Sequence, residues 1–250
     1  MILQEEYSLK SKEVVNLIFL GDTHIGNPSF NRKFFKECLK KIKDLNRVRI
    51  YLMGDMLEIG SKNVGDSAFN QECSIEEQRE YFINNIKPFK DNIVGYAMGN
   101  HCYRLKKEFN YDIVADICRE LEIPSYNQNI DTFSINDFDF SVYTRHGKGS
   151  SQRRHLAMGK MEKDMQDIVA DLYVQGHTHR LMFWSNLKRF PTGYKRIYYA
   201  QSGHFLDYKG YPDQQYLQLE PPSWQLITVN QNRLVKCHQY FADIEGGGTL

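Results

Sequence analysis

The stretch Val14-Val15-Asn16-Leu17-Ile18-Phe19-Leu20-Gly21-Asp22-Thr23-His24-Ile25-Gly26 sets an apolar run directly against a turn bearing a carboxylate and an imidazole two residues apart. Short, β-branched and closed by Gly21, the run reads as a buried strand. Taken alone, Asp-x-His after a strand is ordinary turn chemistry. Its meaning depends on what the rest of the chain brings to it.

Working outward, strand and helix alternate through the first half. Phe35, Leu39, Ile42 and Leu45 recur at helical spacing in a Lys-rich segment, predicting an amphipathic helix from Asn31 to about Leu45. Val48–Met53 reads as the next strand and ends at Gly54-Asp55. Ser74-Ile75-Glu76-Glu77 has the form of a capping box, so a helix starts there, buries Phe82 and Ile86, and stops before Pro88. Ile93–Met98 is a third strand, ending at Gly99-Asn100-His101. Phe109, Ile113, Ile117 and Leu121 mark a helix that closes at Ile123-Pro124.

The second half is richer in strands. Thr132–Thr144 reads as a hairpin around Asn136-Asp137 and leads into Arg145-His146-Gly147. Met161, Met165, Ile168 and Leu172 predict a further helix, and Leu172–Gln175 a strand running into Gly176-His177-Thr178-His179. Five aromatic-rich strand candidates follow: Leu181–Leu187, Arg196–Gln201, Gln215–Leu219, Gln225–Val229 and Leu234–Tyr240. No repeat or linker divides the chain, so a single domain over 1–250 is expected, with a flexible Gly-rich tail from about 245 to 250.

Five polar clusters therefore each follow an apolar strand: Asp22/His24, Asp55, Asn100/His101, His146 and His177/His179. In sheets with crossover helices, functional residues gather in loops at the carboxyl ends of the strands, so these clusters can converge. Carboxylate, imidazole and one amide oxygen form a mixed N/O donor set suited to manganese, iron, zinc or cobalt rather than calcium. Two such ions about 3.5–4 Å apart hold one phosphoryl group and acidify a shared water. With only two carboxylates among neutral ligands, the site keeps excess positive charge, which an anionic phosphate ester complements.

The ordered set Asp22-Thr23-His24, Gly54-Asp55, Gly99-Asn100-His101, His146-Gly147 and Gly176-His177-Thr178-His179 resembles the calcineurin-like metallophosphoesterase superfamily over roughly Leu17 to Arg180. The resemblance implies an α/β, four-layer αββα sandwich, two central mixed β-sheets flanked by helices, with two divalent ions at one sheet edge. Manganese is the first expectation for them, with iron, zinc, cobalt or nickel as alternatives. By motif, it implies that Asp22, His24 and His179 hold one ion, that Asn100, His146 and His177 hold the other, and that Asp55 bridges them. It further implies that hydroxide held between the ions attacks phosphorus while His101 protonates the leaving oxygen. That division suits a histidine, because an alkoxide leaves poorly without an acid that titrates near neutrality. Many relatives carry Asp or Glu after Gly-Asn-His; here Cys102 stands there. Either another acid, with Asp112 as one candidate, orients His101, or His101 is a weaker acid.

Bulk composition narrows the setting. The 250 residues carry 32 Lys and Arg against 31 Asp and Glu, a net charge of +1, so no global field recruits nucleic acid or membranes. Five cysteines without a CxxC pair argue against a disulfide framework or zinc ribbon. Neither a leader-like N-terminus nor a membrane-length apolar run is present, and a cytoplasmic location is expected, with no membrane partner and no protein partner inferable.

Remaining candidates carry two readings each. Arg104, three after His101, is placed either to touch a phosphate or to make a surface ion pair. Arg145, Lys148, Arg153 and Arg154 form the densest local basic cluster, either a solvated face or a contact for phosphate backbone. His204, in Gln201-Ser202-Gly203-His204, either ends a strand or lines the cleft. Arg104, Lys148 and His204 are the candidate substrate-binding residues. His155 reads as a solvated helix residue, His238 as a strand residue and Glu58 as a supporting or capping group. Phe183, Trp184, Tyr194, Tyr198 and Tyr199 either stack bases or, more simply, pack across strands. The start Asp22-Thr23-His24-Ile25-Gly26 is similar to that of SbcD/Mre11-type nucleases. The expectation is a phosphodiester substrate, nucleic acid or nucleotide. The alternatives on the same scaffold are a phosphomonoesterase or protein phosphatase, a nucleotide-sugar pyrophosphatase, or a catalytically weak scaffold protein.

Overall fold

The computed structural model describes residues 5–60, 71–148, 153–191, 193–207 and 220–243. In chain order the strands are β1 (Glu6–Tyr7), β2 (Val14–Leu20), β3 (Val48–Leu52), β4 (Ile93–Ala97), β5 (Ser125–Tyr126), β6 (Gln128–Ile135), β7 (Phe138–Arg145), β8 (Leu172–Gln175), β9 (Leu181–Phe190), β10 (Gly193–Ser202), β11 (Ser223–Asn230) and β12 (Val235–Phe241). The helices are α1 (Arg32–Lys43), α2 (Ile75–Ile86), α3 (Asn100–Phe109), α4 (Ile113–Leu121) and α5 (Arg154–Asp164). The expected strand Gln215–Leu219 and the Gly-rich tail lie outside the described residues.

The strands form two six-stranded mixed sheets, ordered β1-β6-β7-β8-β10-β9 and β12-β11-β2-β3-β4-β5. Period-two alternation along β2 shows how they layer. Val15, Leu17 and Phe19 face the other sheet, where they meet Phe133, Phe140, Val142, Leu172 and Val174. Ile18 and Leu20 face outward onto Phe35, Leu39 and Ile42 of α1, Phe82 and Ile86 of α2, and Ile113 and Ile117 of α4. On the far side of the first sheet, Tyr143, Tyr173 and Tyr199 pack with Met161 of α5. Helix, sheet, sheet, helix is the resulting order, the four-layer αββα sandwich.

Local chemistry explains several boundaries. Asn31 caps α1, its side chain accepting from Phe34 N–H, and Ser74 and Glu77 form the full capping box of α2. Pro88 does not end the chain's coiling at once; it sits early in a 3-10 helix, Lys87–Asn92. The helix read through Phe109 and Leu121 is two helices. Asn110 adopts a left-handed conformation at φ 53° and Asp112 caps α4, so Phe109 ends α3, 70% exposed, instead of sharing the face of Ile113. The helix expected over Met161–Leu172 lies earlier, at Arg154–Asp164. Met161 and Met165 are buried as expected, but Met165 is the C-cap and Leu172 belongs to β8.

Inside the sandwich, Arg49 of β3 and Asp131 of β6 tie the sheets together. The guanidinium donates at 2.8 and 3.0 Å to the two carboxylate oxygens, and Tyr51 Oη donates to the same carboxylate at 2.5 Å. No helix among the described residues is long and apolar enough to cross a membrane.

Candidate metal centre

Six parallel strands, three from each sheet, run toward one edge. β2, β3 and β4 are mutually parallel in one sheet, and β7, β8 and β10 in the other. Their carboxyl ends deliver, in turn, Asp22 and His24, Asp55, Asn100 and His101, His146, His177 and His179, and His204. The first five clusters were legible in sequence; His204 joins them because β10 lies parallel to β8.

The backbone at this edge is unusual. Asp22, His24, Asp55, His177 and His179 all have positive φ, between 47° and 70°. This left-handed region is uncommon for side-chain-bearing residues, though Asn, Asp and His tolerate it best. Two glycines make the packing possible. A Cβ on Gly99 would stand 2.1 Å from Asp55 Oδ1, and one on Gly54, at φ 93°, would stand 2.6 Å from the His146 ring.

Three side-chain groups result among the described residues, Asp22/His24/His179, Asp55/His146/His177 and His24/Glu58/His101, each with its candidate ligand atoms within 4.8 Å of one another. In the second, His146 Nδ1 donates to the Met53 carbonyl at 2.8 Å, which turns Nε2 into the cluster. Nε2 lies 3.0 Å from Asn100 Oδ1, 3.1 Å from Asp55 Oδ2 and 3.2 Å from His177 Nδ1. In the first, Glu58 Oε2 lies 2.8 Å from His24 Nδ1, and His24 Nε2 lies 3.0 Å from His179 Nε2. Asp22 Oδ2 accepts the His177 backbone N–H at 2.8 Å, while Asp22 Oδ1 is buried, meets no standard hydrogen-bond partner among the described residues and lies 3.4 Å from His179 Nε2. Converging electron-rich atoms and an orphaned buried carboxylate oxygen are the environment a cation satisfies. The carboxylate behind His24 is the support that metal-binding imidazoles usually have.

The electrostatics agree with a charged cluster held out of water. Burial works against ionising Asp55, yet His146 holds its carboxyl well below the usual range. Burial likewise lowers His146, but Asp55 and then Asp22 outweigh it and raise it to about 9. Burial, reinforced by His24, lowers His101 to about 4.

His101 sits beside the first two groups. Its backbone N–H donates to Asp55 Oδ1 at 2.9 Å, and its Nδ1 donates to the Glu58 carbonyl oxygen. Asp112 plays no part here: it caps α4 and pairs with Lys106 at 2.7 Å. Cys102 is buried beneath the helix, and the group that orients His101 is Glu58, three residues beyond Asp55. Burial first, with Asp55 next, raises the Cys102 thiol above its ordinary value.

Among the candidate substrate contacts, Arg104 NH1 lies 3.4 Å from His101 Nδ1. His204 is buried and stacks on His179, centroids 5.3 Å apart and planes at 19°. Lys148 is exposed, and among the described residues no contact ties it to the centre. Arg145 pairs with Asp164 and Gln175, which is the structural reading of that charge. The aromatics of β9 and β10 stack on each other, Phe183 on Tyr198 and Trp184 on Tyr199, as cross-strand packing. His155 and His238 are exposed on α5 and β12.

No family model and no curated protein matches the chain. Among solved structures, a conserved uncharacterised protein from Streptococcus pneumoniae, described as a predicted phosphoesterase, aligns at 11% identity and TM-score 0.41, covering 93% of this chain and all of that one. A double mutant of Vps29 from Entamoeba histolytica aligns at 12% identity and TM-score 0.45, covering 92% and all of its own chain. Likenesses this distant carry no function across. The chain itself folds as a four-layer αββα sandwich of two mixed six-stranded sheets, with its strand-end motif residues gathered at one edge.

Proposed function

We propose that the protein hydrolyses phosphate esters with two divalent ions, and that its substrate is a phosphodiester of nucleic acid or a nucleotide. The observation that supports this best is the pair of adjacent groups, Asp22/His24/His179 and Asp55/His146/His177, with Asn100 completing the second. In this reading Asp22, His24 and His179 would hold one ion and Asn100, His146 and His177 the other, and Asp55 would serve both. When bound, the ions supply Lewis acidity toward a phosphoryl oxygen and a water made nucleophilic at neutral pH. Manganese suits this donor set, and iron, zinc, cobalt and nickel suit it too.

The chain's own groups do the rest. Glu58 fixes the His24 ring through Nδ1 and the His101 ring through its carbonyl. As the centre stands, His101 keeps one proton, on Nδ1. To serve as the acid for a leaving oxygen it takes up a second on Nε2, and an anionic phosphate nearby favours that uptake. Arg104, on the next turn of α3, adds positive charge at the same place. The diester preference rests on the start Asp22-Thr23-His24-Ile25-Gly26 and on the basic residues around the His146 loop.

Bis-p-nitrophenyl phosphate and p-nitrophenyl phosphate, each with added Mn²⁺, test the reading, followed by single- and double-stranded DNA and RNA. Hydrolysis of the diester is expected. Activity confined to the monoester overturns the diester preference. No hydrolysis with any divalent ion, while ions bind normally, overturns the enzymatic reading and leaves a metal-binding scaffold.

A further inference from the structure

At the edge of the sandwich opposite the ligand ring, a groove of about 450 Å³ opens in the outer helix layer. It runs between the second half of α1 and the segment joining α2 to β4, beside Val48 and Asn92 at the amino ends of β3 and β4. The length of β3 alone, about 16 Å, separates it from the strand ends that carry the metal centre. Its floor is apolar, made by Leu39 and Ile42 of α1, Leu45 just beyond that helix and Phe89 of the 3-10 helix. These four are the margin of the core packed under α1 and α2.

The rim carries charge of one sign. Lys36, Lys40 and Lys43 line the α1 side and asparagines the other, with no carboxylate in the lining. All three lysines are exposed, and among the described residues none of them is in an ion pair. Other cations of the same helix are accounted for: Arg32 pairs with Glu72 at 3.0 Å, and Lys41 lies 4.2 Å from the centre of the Tyr240 ring. A lysine in the last turn complements the helix dipole, but Lys36 stands nearly two turns before the end of α1. The three occupy positions i, i+4 and i+7, a row of about 10 Å along the helix axis.

An apolar floor beside cations set at helical spacing is the counterpart of an amphipathic helix with acidic flanks. Such helices bind by laying anchors at i, i+3, i+4 and i+7 into a groove. Nucleic acid fits the groove less well, because Phe89 is the single aromatic ring in the lining and the groove does not lead to the metal centre.

We propose that this groove docks an acidic amphipathic helix of a partner protein, its apolar side chains seated on Leu39, Ile42, Leu45 and Phe89 and its carboxylates on the lysine row. The inference is independent of the phosphoester reading. A partner held at this edge leaves the opposite edge open to substrate.

Fluorescence anisotropy with two labelled peptides of about 16 residues, long enough to sustain a helix, tests the groove on the full chain. One peptide carries Leu at the anchor positions flanked by Glu, and the other has Gln in place of every Glu. The acidic peptide is expected to bind at least about tenfold more tightly. Lys40→Glu, in the middle of the row, is expected to weaken it about fivefold, whereas Lys41→Glu, the same change of charge off the rim, leaves affinity within about twofold of wild type. Unaltered far-UV circular dichroism shows that both variants are folded. Equal binding of the two peptides, no binding of either, or equal weakening by the two substitutions overturns the proposal. A mixed-sequence single-stranded oligonucleotide that binds more tightly than the acidic peptide, and loses that affinity in Lys40→Glu, overturns it as well and makes the groove a nucleic-acid contact.

Discussion

Glu58 Oε2 lies 2.8 Å from Nδ1 of His24, whose other ring nitrogen faces His179 and Asp22. The carboxylate is itself held: Gln78 Oε1 of α2 accepts the backbone N–H of Glu58 at 3.1 Å. Glu58→Gln is expected to weaken metal binding by about 10–100-fold, the usual cost of losing a carboxylate behind a metal-binding imidazole. Metal titration of the ion-free variant checks this. Unchanged affinity for both ions would mean that His24 needs no carboxylate behind it.

His101 lies beside the two groups proposed to hold the ions and forms a third cluster with His24 and Glu58, so its role can be told apart from ligation. His101→Ala is expected to lower kcat by about 10²–10⁴-fold, the range for loss of a positioned acid. Metal content, read by elemental analysis, should stay at the wild-type level. Loss of ions from this variant would make His101 a ligand.

Asp55 has one oxygen on the His101 N–H and the other 3.1 Å from His146 Nε2. In the proposed two-ion reading Asp55 would serve both ions, so neutralising it should affect both. Asp55→Asn is expected to reduce occupancy of both and to lower activity by at least about 100-fold. Full occupancy of both ions with unaltered activity would remove Asp55 from the bridging position.

The ion-free protein should have a defined pH optimum of stability. Burial lowers His101 to about 4 and His204 to about 3, so both remain neutral in the fold where the unfolded chain, titrating near 6.5, takes up protons. Stability therefore falls as pH drops below 6.5, by up to about 1.4 kcal/mol per pH unit for each histidine. His146, raised to about 9 because Asp55 and Asp22 outweigh its burial, works in the opposite sense. Its contribution is complete below 6.5 and is lost as pH rises through 9. Urea midpoints from pH 4 to 9.5 should peak between these limbs, and His204→Gln should flatten the acid limb.

Arg49 and Asp131 join the sheets far from this chemistry, both about 95% buried. Asp131→Ala leaves the buried Arg49 guanidinium with the half-exposed Glu5 as its remaining carboxylate among the described residues and is expected to cost about 3 kcal/mol of stability, the low end for a broken buried pair. Denaturant unfolding reads that cost. Replacement without measurable loss would mean that water reaches Arg49 through the sheet edge.

Much of this was legible in the residues, for reasons that can be located. Val14–Leu20 announced itself because burial on both faces needs a continuous apolar run, and Ser74–Glu77 because a capping box is local chemistry. The ligand clusters were visible because each is short and follows a strand directly. Glu6–Tyr7 and Ser125–Tyr126 left no pattern, since two-residue edge strands are too short to show alternation. Met161, Met165 and Ile168 kept helical spacing but are brought together by a turn after α5, so the spacing misplaced the helix. Glu58 was legible as a supporting or capping group, but its partner His24 was not, because that pairing is set by tertiary approach.

The left-handed backbone at Asp22, His24, Asp55, His177 and His179 has a consequence for how the ions arrive. Side chains aimed by main-chain torsions do not need a bound ion to collect them. The unfavourable torsions are charged to the stability of the sandwich, so the free energy of coordination is left for holding the ions rather than spent on gathering ligands. Loading and stripping should then leave the shape of the protein nearly unchanged. In the proposed two-ion reading, ions would then exchange one for another in the folded chain, and the metal found in it would follow supply as much as selectivity.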